Sequence, residues 1–341
     1  MEDYEELANN YVKEFYKYYY DKSKIVLERL PIISNLFLDM EEWITDFLNE
    51  YYIEFNWNRI TKADFTDKEK LINDFYNYLG IDFNMQQVLN DGSLDITTFT
   101  FEEALQNHDR LLCGRCASYK NHHIIDVCNN DLITDAVVWI HEFAHYRNDF
   151  NTKRNEISNL LTEAISFTYE FMFLDYLQQR GFIYESHAYL YSIFYTLFFH
   201  IYNAYYALQL VRVYEQFGTI NKDNYNMMFD VDNYDECIKQ INTLFIDEEK
   251  DLMFYIEYGI ADVLSLYMFN EYKKDNSFLE KIEKLNYYIE DKSLEECLDL
   301  IGITNFNDNG FEDFQNFDKI KDAVEVMKNR ILCSKFIRKR Q

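Results

Sequence analysis

The residues His141-Glu142-Phe143-Ala144-His145 decide how this chain is read. On a helix, positions four apart share one face, so His141 and His145 can offer two imidazoles to a single metal ion. Glu142 falls beside the pair. There its carboxylate can take a proton from a water that zinc makes acidic near neutral pH. The chain has only seven histidines among 341 residues, so two of them at this spacing around a glutamate form a specific pattern.

Zinc in a catalytic site takes three protein ligands and keeps one position open. Six residues beyond His145 stands Asn151, which excludes a third histidine there. The downstream carboxylates Glu156, Glu163 and Glu170 are seven apart and share roughly one helical face. Glu163 stands in the apolar run Leu160-Leu161-Thr162-Glu163-Ala164-Ile165-Ser166. An isolated charge in such a run needs a partner, and a divalent cation is one.

The rest of the sequence argues for a mainly α protein. It has one proline (Pro31), eight glycines, and a core stock of 30 tyrosines and 29 phenylalanines. With few breakers and apolar residues at helical spacing, helices are expected over about 2–28, 38–57, 67–79, 156–179, 183–217, 221–247 and 250–273, with three more across 277–337. Asn90-Asp91-Gly92-Ser93 reads as a turn. Residues 111–119 and 123–128 read as two short strands before a motif helix at about 132–148, capped by Asn129-Asn130-Asp131. An exposed strand edge beside a metal helix can bind an extended peptide as an added strand, which makes Ile124, Ile125 and Asp126 candidate substrate-binding residues. No linker or repeat separates an amino-terminal helical lobe (1–110), a metal-binding core (111–275) and carboxy-terminal helices (276–341), so one compact unit is expected.

Lys plus Arg number 33 against 60 Asp plus Glu, a net charge of −27. That field disfavours nucleic acid and anionic membranes and concentrates basic peptides. Met1-Glu2-Asp3-Tyr4-Glu5-Glu6 is acidic and no apolar run follows, so a cytoplasmic protein without a signal is expected. The apolar stretch 189–211 is broken by His200, Asn203 and Gln209 and reads as a buried helix. The six cysteines, including the lone Cys113-x-x-Cys116 pair, read as reduced thiols.

The stretch from Ile124 to Leu177 resembles the core of the oligoendopeptidase F and thimet oligopeptidase family of gluzincin zinc metallopeptidases. It has Ile124-Ile125-Asp126-Val127, then His141-Glu142-Phe143-Ala144-His145, then Glu163-Ala164-Ile165-Ser166 and Glu170. The resemblance implies one zinc ion per chain held by His141, His145 and Glu163, with Glu142 as general base and Glu170 hydrogen-bonding a ligand histidine. Phe254-Tyr255-Ile256-Glu257-Tyr258-Gly259 is similar to the family's tyrosine segment, which implies that Tyr255 and Tyr258 donate to the oxyanion. The chain departs from the family in having Ala144 for glycine, a shorter connection between His145 and Glu163, no histidine in 235–254, and a shorter overall length.

The expected function is therefore zinc-dependent hydrolysis of peptide bonds in oligopeptides or unfolded segments. The alternatives are a degenerate zincin that binds peptide or protein without catalysis, and a helical interaction protein. The first conflicts with the intact set His141, Glu142, His145 and Glu163.

Overall fold

Scarce helix breakers and long apolar runs give a mainly helical protein with one small sheet. A computed structural model describes residues 4–14, 17, 46, 49–53, 57–106, 114–119, 122–149, 158–229, 234–235, 237–239, 252–303, 317–332 and 337–339. Most of the helices expected before residue 57, the end of the one expected over 221–247, and Cys113 lie outside these residues.

The described helices are α1 (Phe65–Tyr78), α2 (Met85–Asp91), α3 (Phe101–Gln106), α4 (Asp135–Asp149), α5 (Ser158–Gln179), α6 (Ile183–Phe217), α7 (Lys222–Met228), α8 (Leu252–Lys274), α9 (Leu279–Asp291), α10 (Leu294–Leu300) and α11 (Phe317–Leu332). The main sheet has strands β1 (Leu94–Phe99), β2 (Gly114–Tyr119) and β3 (His122–Cys128) in the spatial order β1-β3-β2. Residues 51–53, counted as helical from the sequence, instead pair antiparallel with 337–339 as a separate ribbon.

The main sheet corrects the expected substrate strand. β3 pairs parallel with β1, Ile96 opposite Ile125, and antiparallel with β2, Cys116 opposite Ile125. Its backbone groups are committed on both sides, so it cannot accept a further strand over Ile124, Ile125 and Asp126. The edge beside the motif helix is β2, which pairs with no other strand among the described residues. β1 follows directly on the turn at 90–93, which is the stronger local signal in the sequence. Ile96, Thr97 and Thr98 are the β-branched residues that a strand favours.

The helical layer is built on segments that are apolar all round. α5 and α8 pack along each other, α6 packs on both, and α4 fits between α5 and the sheet. A helix hydrophobic on every face has to be enclosed, and residues 160–174 of α5 are buried except Glu163. The motif helix begins at Asp135, later than the expected cap. The Asp135 carboxylate accepts the N–H groups of Asn130 at 2.8 Å and Leu132 at 3.0 Å, and the fully buried Lys68 lies 3.3 Å away. This cluster fixes the chain between the end of β3 and the start of α4. An acidic group there also suits the positive end of the helix.

At its other end α4 is tied to the carboxy-terminal helices. Arg147 reaches Glu283 on α9 at 2.5 Å, lies over the Tyr76 ring at 5.3 Å, and donates to the Tyr169 hydroxyl at 3.3 Å. Tyr169 in turn donates to Glu283. Removing one partner of a buried pair strands the other, at a cost of about 3–5 kcal/mol. Glu283 keeps some solvent contact, so Arg147→Leu is expected to lower unfolding free energy by about 2–3 kcal/mol. The Arg147→Leu/Glu283→Leu double variant should recover part of that loss. A denaturant double-mutant cycle without coupling would show that this tie contributes nothing.

Candidate metal centre

The site is assembled from one turn of α4 and two turns of α5. His141 and His145 project from α4 toward α5, with their ring centroids 4.8 Å apart. Their Nε2 atoms lie 3.0 Å from each other. Glu163 meets both, with Oε2 at 3.3 Å from His141 Nε2 and Oε1 at 3.3 Å from His145 Nε2. Oε2 is buried and has no hydrogen-bond donor aligned on it. The three donor atoms lie within 4.8 Å of one another.

Seven residues after Glu163, two turns along α5, Glu170 accepts a 2.7 Å hydrogen bond from His141 Nδ1. This fixes the ring so that Nε2 is the nitrogen turned to the other ligands. Glu170, expected to orient a metal-binding histidine, thus hydrogen-bonds one of the two motif histidines.

The charges compensate one another. Burial alone would lower the His141 pKa, but the hydrogen bonds and charges of Glu163 and Glu170 outweigh it and hold it well above the ordinary value. Burial alone would raise Glu163, yet His145 and His141 hold its carboxyl well below the usual range. Burial pushes Glu170 and Glu142 upward, with the histidines pulling the other way. A proton among these groups does the neutralising work that a cation can do better. Two imidazoles and a carboxylate are a donor set of catalytic zinc sites, and bonds of about 2.0–2.2 Å let one ion reach all three atoms. The residues present therefore fit a zinc ion.

Glu142 is 5% exposed, within electrostatic reach of both histidines, and its carboxylate lies against β2. The contact is close enough to fix the residue type at 114. A Cβ on Gly114 would lie 2.6 Å from Glu142 Oε1 and 2.7 Å from Val138 Cγ1. The edge strand β2 thus runs directly against the carboxylate next to the two histidines.

The remaining expectations divide. Tyr258 on α8 lies within electrostatic reach of Glu163, and burial followed by the Glu163 charge raises its phenol well above the ordinary value. Tyr255 shares that helix, but its side chain lies outside the described residues. Ile125 and Asp126 are buried, and Asp126 accepts a 2.7 Å hydrogen bond from Thr97; Ile124 is 41% exposed. The structure also brings in two residues that the sequence did not single out. His200 on α6 and Asp262 on α8 form a 2.8 Å pair beside Tyr258. The available signal was Asp262 one helical turn after Tyr258, within an otherwise apolar stretch.

No family model matches the sequence, and no curated protein matches it. Solved structures do. A protein assigned as oligoendopeptidase F from Bacillus anthracis strain Ames superposes with a TM-score of 0.54 at 13% identity, over 97% of this chain and 56% of the other. A protein assigned as a peptidase from Chlamydophila abortus gives 0.56 at 13% identity, over 87% and 54%. PZ peptidase A with an inhibitor gives 0.53 at 13% identity, over 97% and 59%. The chain thus has the fold of this group of peptidases and spans a little over half their length.

Gly114→Ala is the sharpest test of the contact between strand and helix. The new methyl has to displace the Glu142 carboxylate and Val138 or part β2 from α4. Overpacking of this kind costs about 1–3 kcal/mol. Chemical denaturation should show that loss, and an unchanged midpoint would mean that the strand does not press on the helix as described.

Proposed function

We propose that this protein is a zinc-dependent peptidase acting on oligopeptides or unfolded segments. The observation that carries the reading is the convergence of His141 Nε2, His145 Nε2 and a Glu163 carboxylate oxygen within 4.8 Å, beside a buried, unligated Glu142. The fold shared with three peptidase structures supports it.

His141, His145 and Glu163 would hold the ion, which when bound supplies Lewis acidity to polarise a carbonyl and make water acidic. The chain's own residues account for the rest. Glu142 takes the proton of the attacking water and returns it to the leaving amine. Its burial favours that exchange by making the carboxylate a better base than one in water. The edge of β2 that no other described strand pairs with offers main-chain hydrogen bonds to an extended peptide, laid past Glu142. Tyr258, within electrostatic reach of the Glu163 carboxylate, serves as a donor to a substrate oxygen. Tyr255 is proposed for the same service from the preceding turn. The surplus negative charge, −27 over the chain, favours basic and neutral peptides over acidic ones. Among the described residues no helix is long and apolar enough to cross a membrane.

Two measurements check this. Glu142→Gln removes the base but no ligand, so it should lower cleavage of a mixed peptide library by about 10²–10⁴-fold while retaining one zinc per chain. Near-normal turnover in that variant would falsify the assignment. Zinc binding should also release protons. The metal-free His141 has a raised pKa and so is protonated at neutral pH, and a ligand imidazole must give up the proton on Nε2. Zinc affinity should therefore fall as the pH is lowered. Calorimetry in buffers of different ionisation enthalpy should report a net proton released, and the absence of zinc uptake at any pH would end the metal reading.

A further inference from the structure

A cleft of about 490 Å³ lies between α5, α8 and α11, toward the far end of the helix pair that carries Glu163 and Tyr258. Its lining follows helical faces. Leu266, Phe269, Asn270 and Lys273 stand at i, i+3, i+4 and i+7 on α8. Ala323, Val326, Met327 and Arg330 repeat that spacing on α11. Asp175, Gln178 and Gln179 form the α5 side. Asp175 is twelve residues beyond Glu163, about 18 Å along α5, so the cleft is separate from the metal centre.

Two kinds of surface meet in it. Leu266, Phe269, Ala323 and Met327 are buried and supply apolar wall, and Val326 is 51% exposed. Beside them Arg330 donates to Asp175 Oδ1 and lies over the Phe269 ring, 5.5 Å from its centroid. Lys273 Nζ lies 2.6 Å from Asp175 Oδ2. Both oxygens of the carboxylate are thus engaged, and two cations share one anion. One positive charge is left over among the lining residues, in a chain of net charge −27. Glu271 does not line the cleft and is held by Lys274 at 2.8 Å and Lys319 at 4.0 Å. Asp322 and Glu325 on α11 are exposed and also lie outside the lining. The bond to Asp175 uses one of the five guanidinium N–H groups of Arg330. Asn270 is 6% exposed, and its buried Nδ2 has no acceptor among the described residues.

We propose that this cleft is a binding site for an apolar monocarboxylate. The ligand carboxylate accepts charge-assisted hydrogen bonds from Lys273 and Arg330, and its hydrocarbon body packs on Leu266, Phe269 and Met327. The volume suits a small organic molecule. An amine is disfavoured, because the surplus positive charge repels it and Asp175 is already shared by two cations. Two carriers have this chemistry: a medium-chain fatty acid, and the carboxy-terminus of a peptide with an apolar last residue. Binding is non-covalent and asks nothing of the metal centre.

The test titrates octanoate into the full chain by calorimetry at low salt, with octanol and octylamine as matched controls. Octanoate should saturate one site per chain and bind roughly 10-fold or more tightly than either control. Lys273→Gln removes a half-exposed charge while Arg330 still holds Asp175. It should weaken octanoate roughly 5–10-fold with Tm unchanged. Val326→Trp fills the cleft from an exposed position, so it should abolish octanoate binding without loss of the fold. An acetylated tripeptide ending in leucine distinguishes the carriers. Its displacement of octanoate identifies a peptide end as the ligand, and its failure to compete identifies a fatty acid. No saturable octanoate binding, equal binding of octanol or octylamine, or unchanged octanoate affinity in either variant would overturn the proposal.

Discussion

A carboxylate enclosed in a helix that is apolar on every face has to find positive charge, and Glu163 is that carboxylate. Little water reaches it to supply the missing solvation, so the neighbouring helix must. His141 and His145 do so from one face of α4, which fixes the rotation of α4 against α5. Once that rotation is set, Glu142 can only turn toward the sheet, and the sheet must present a residue without a side chain to receive it. Gly114 is that residue. The reactive layout thus follows from one electrostatic demand met within a close-packed core.

The same demand explains how ordered the surroundings are. Asp135 and Lys68 hold the start of α4, and Arg147 with Glu283 and two tyrosine rings holds its end. A shift of α4 along its axis would break charges at both ends while pulling two imidazoles off Glu163. Few small movements are open to it, and rigid placement is what positioned proton transfer requires.

The sequence made the helical class and the His141, His145 and Glu163 cluster legible because both are local signals. Five residues specify the histidine face, and an isolated glutamate in an apolar run announces its own need for a partner. Glu170 was legible only through resemblance, and its bond to His141 has a plain cause in the seven-residue spacing. The strand order was not legible. Leu94–Phe99 lies beyond a strong turn signal, and its parallel pairing with His122–Cys128 is set by contacts across some thirty residues of chain. Missing it made the central strand look like the edge. The pairs Arg147–Glu283 and His200–Asp262 join residues 136 and 62 positions apart, and no periodicity links them.

The gathered donors bear on how folding would couple to the proposed ion. The 3.0 Å approach of the two Nε2 atoms and their contacts to Glu163 exist with only protons to hold them. The entropy of gathering the three donors has therefore been spent in folding the helices, not left for the ion to supply. In small zinc modules the opposite holds, and stripping the ion unravels the chain. Here the packed helices gather the donors, so under the proposed reading occupancy would follow the free zinc concentration of the surroundings rather than the history of folding.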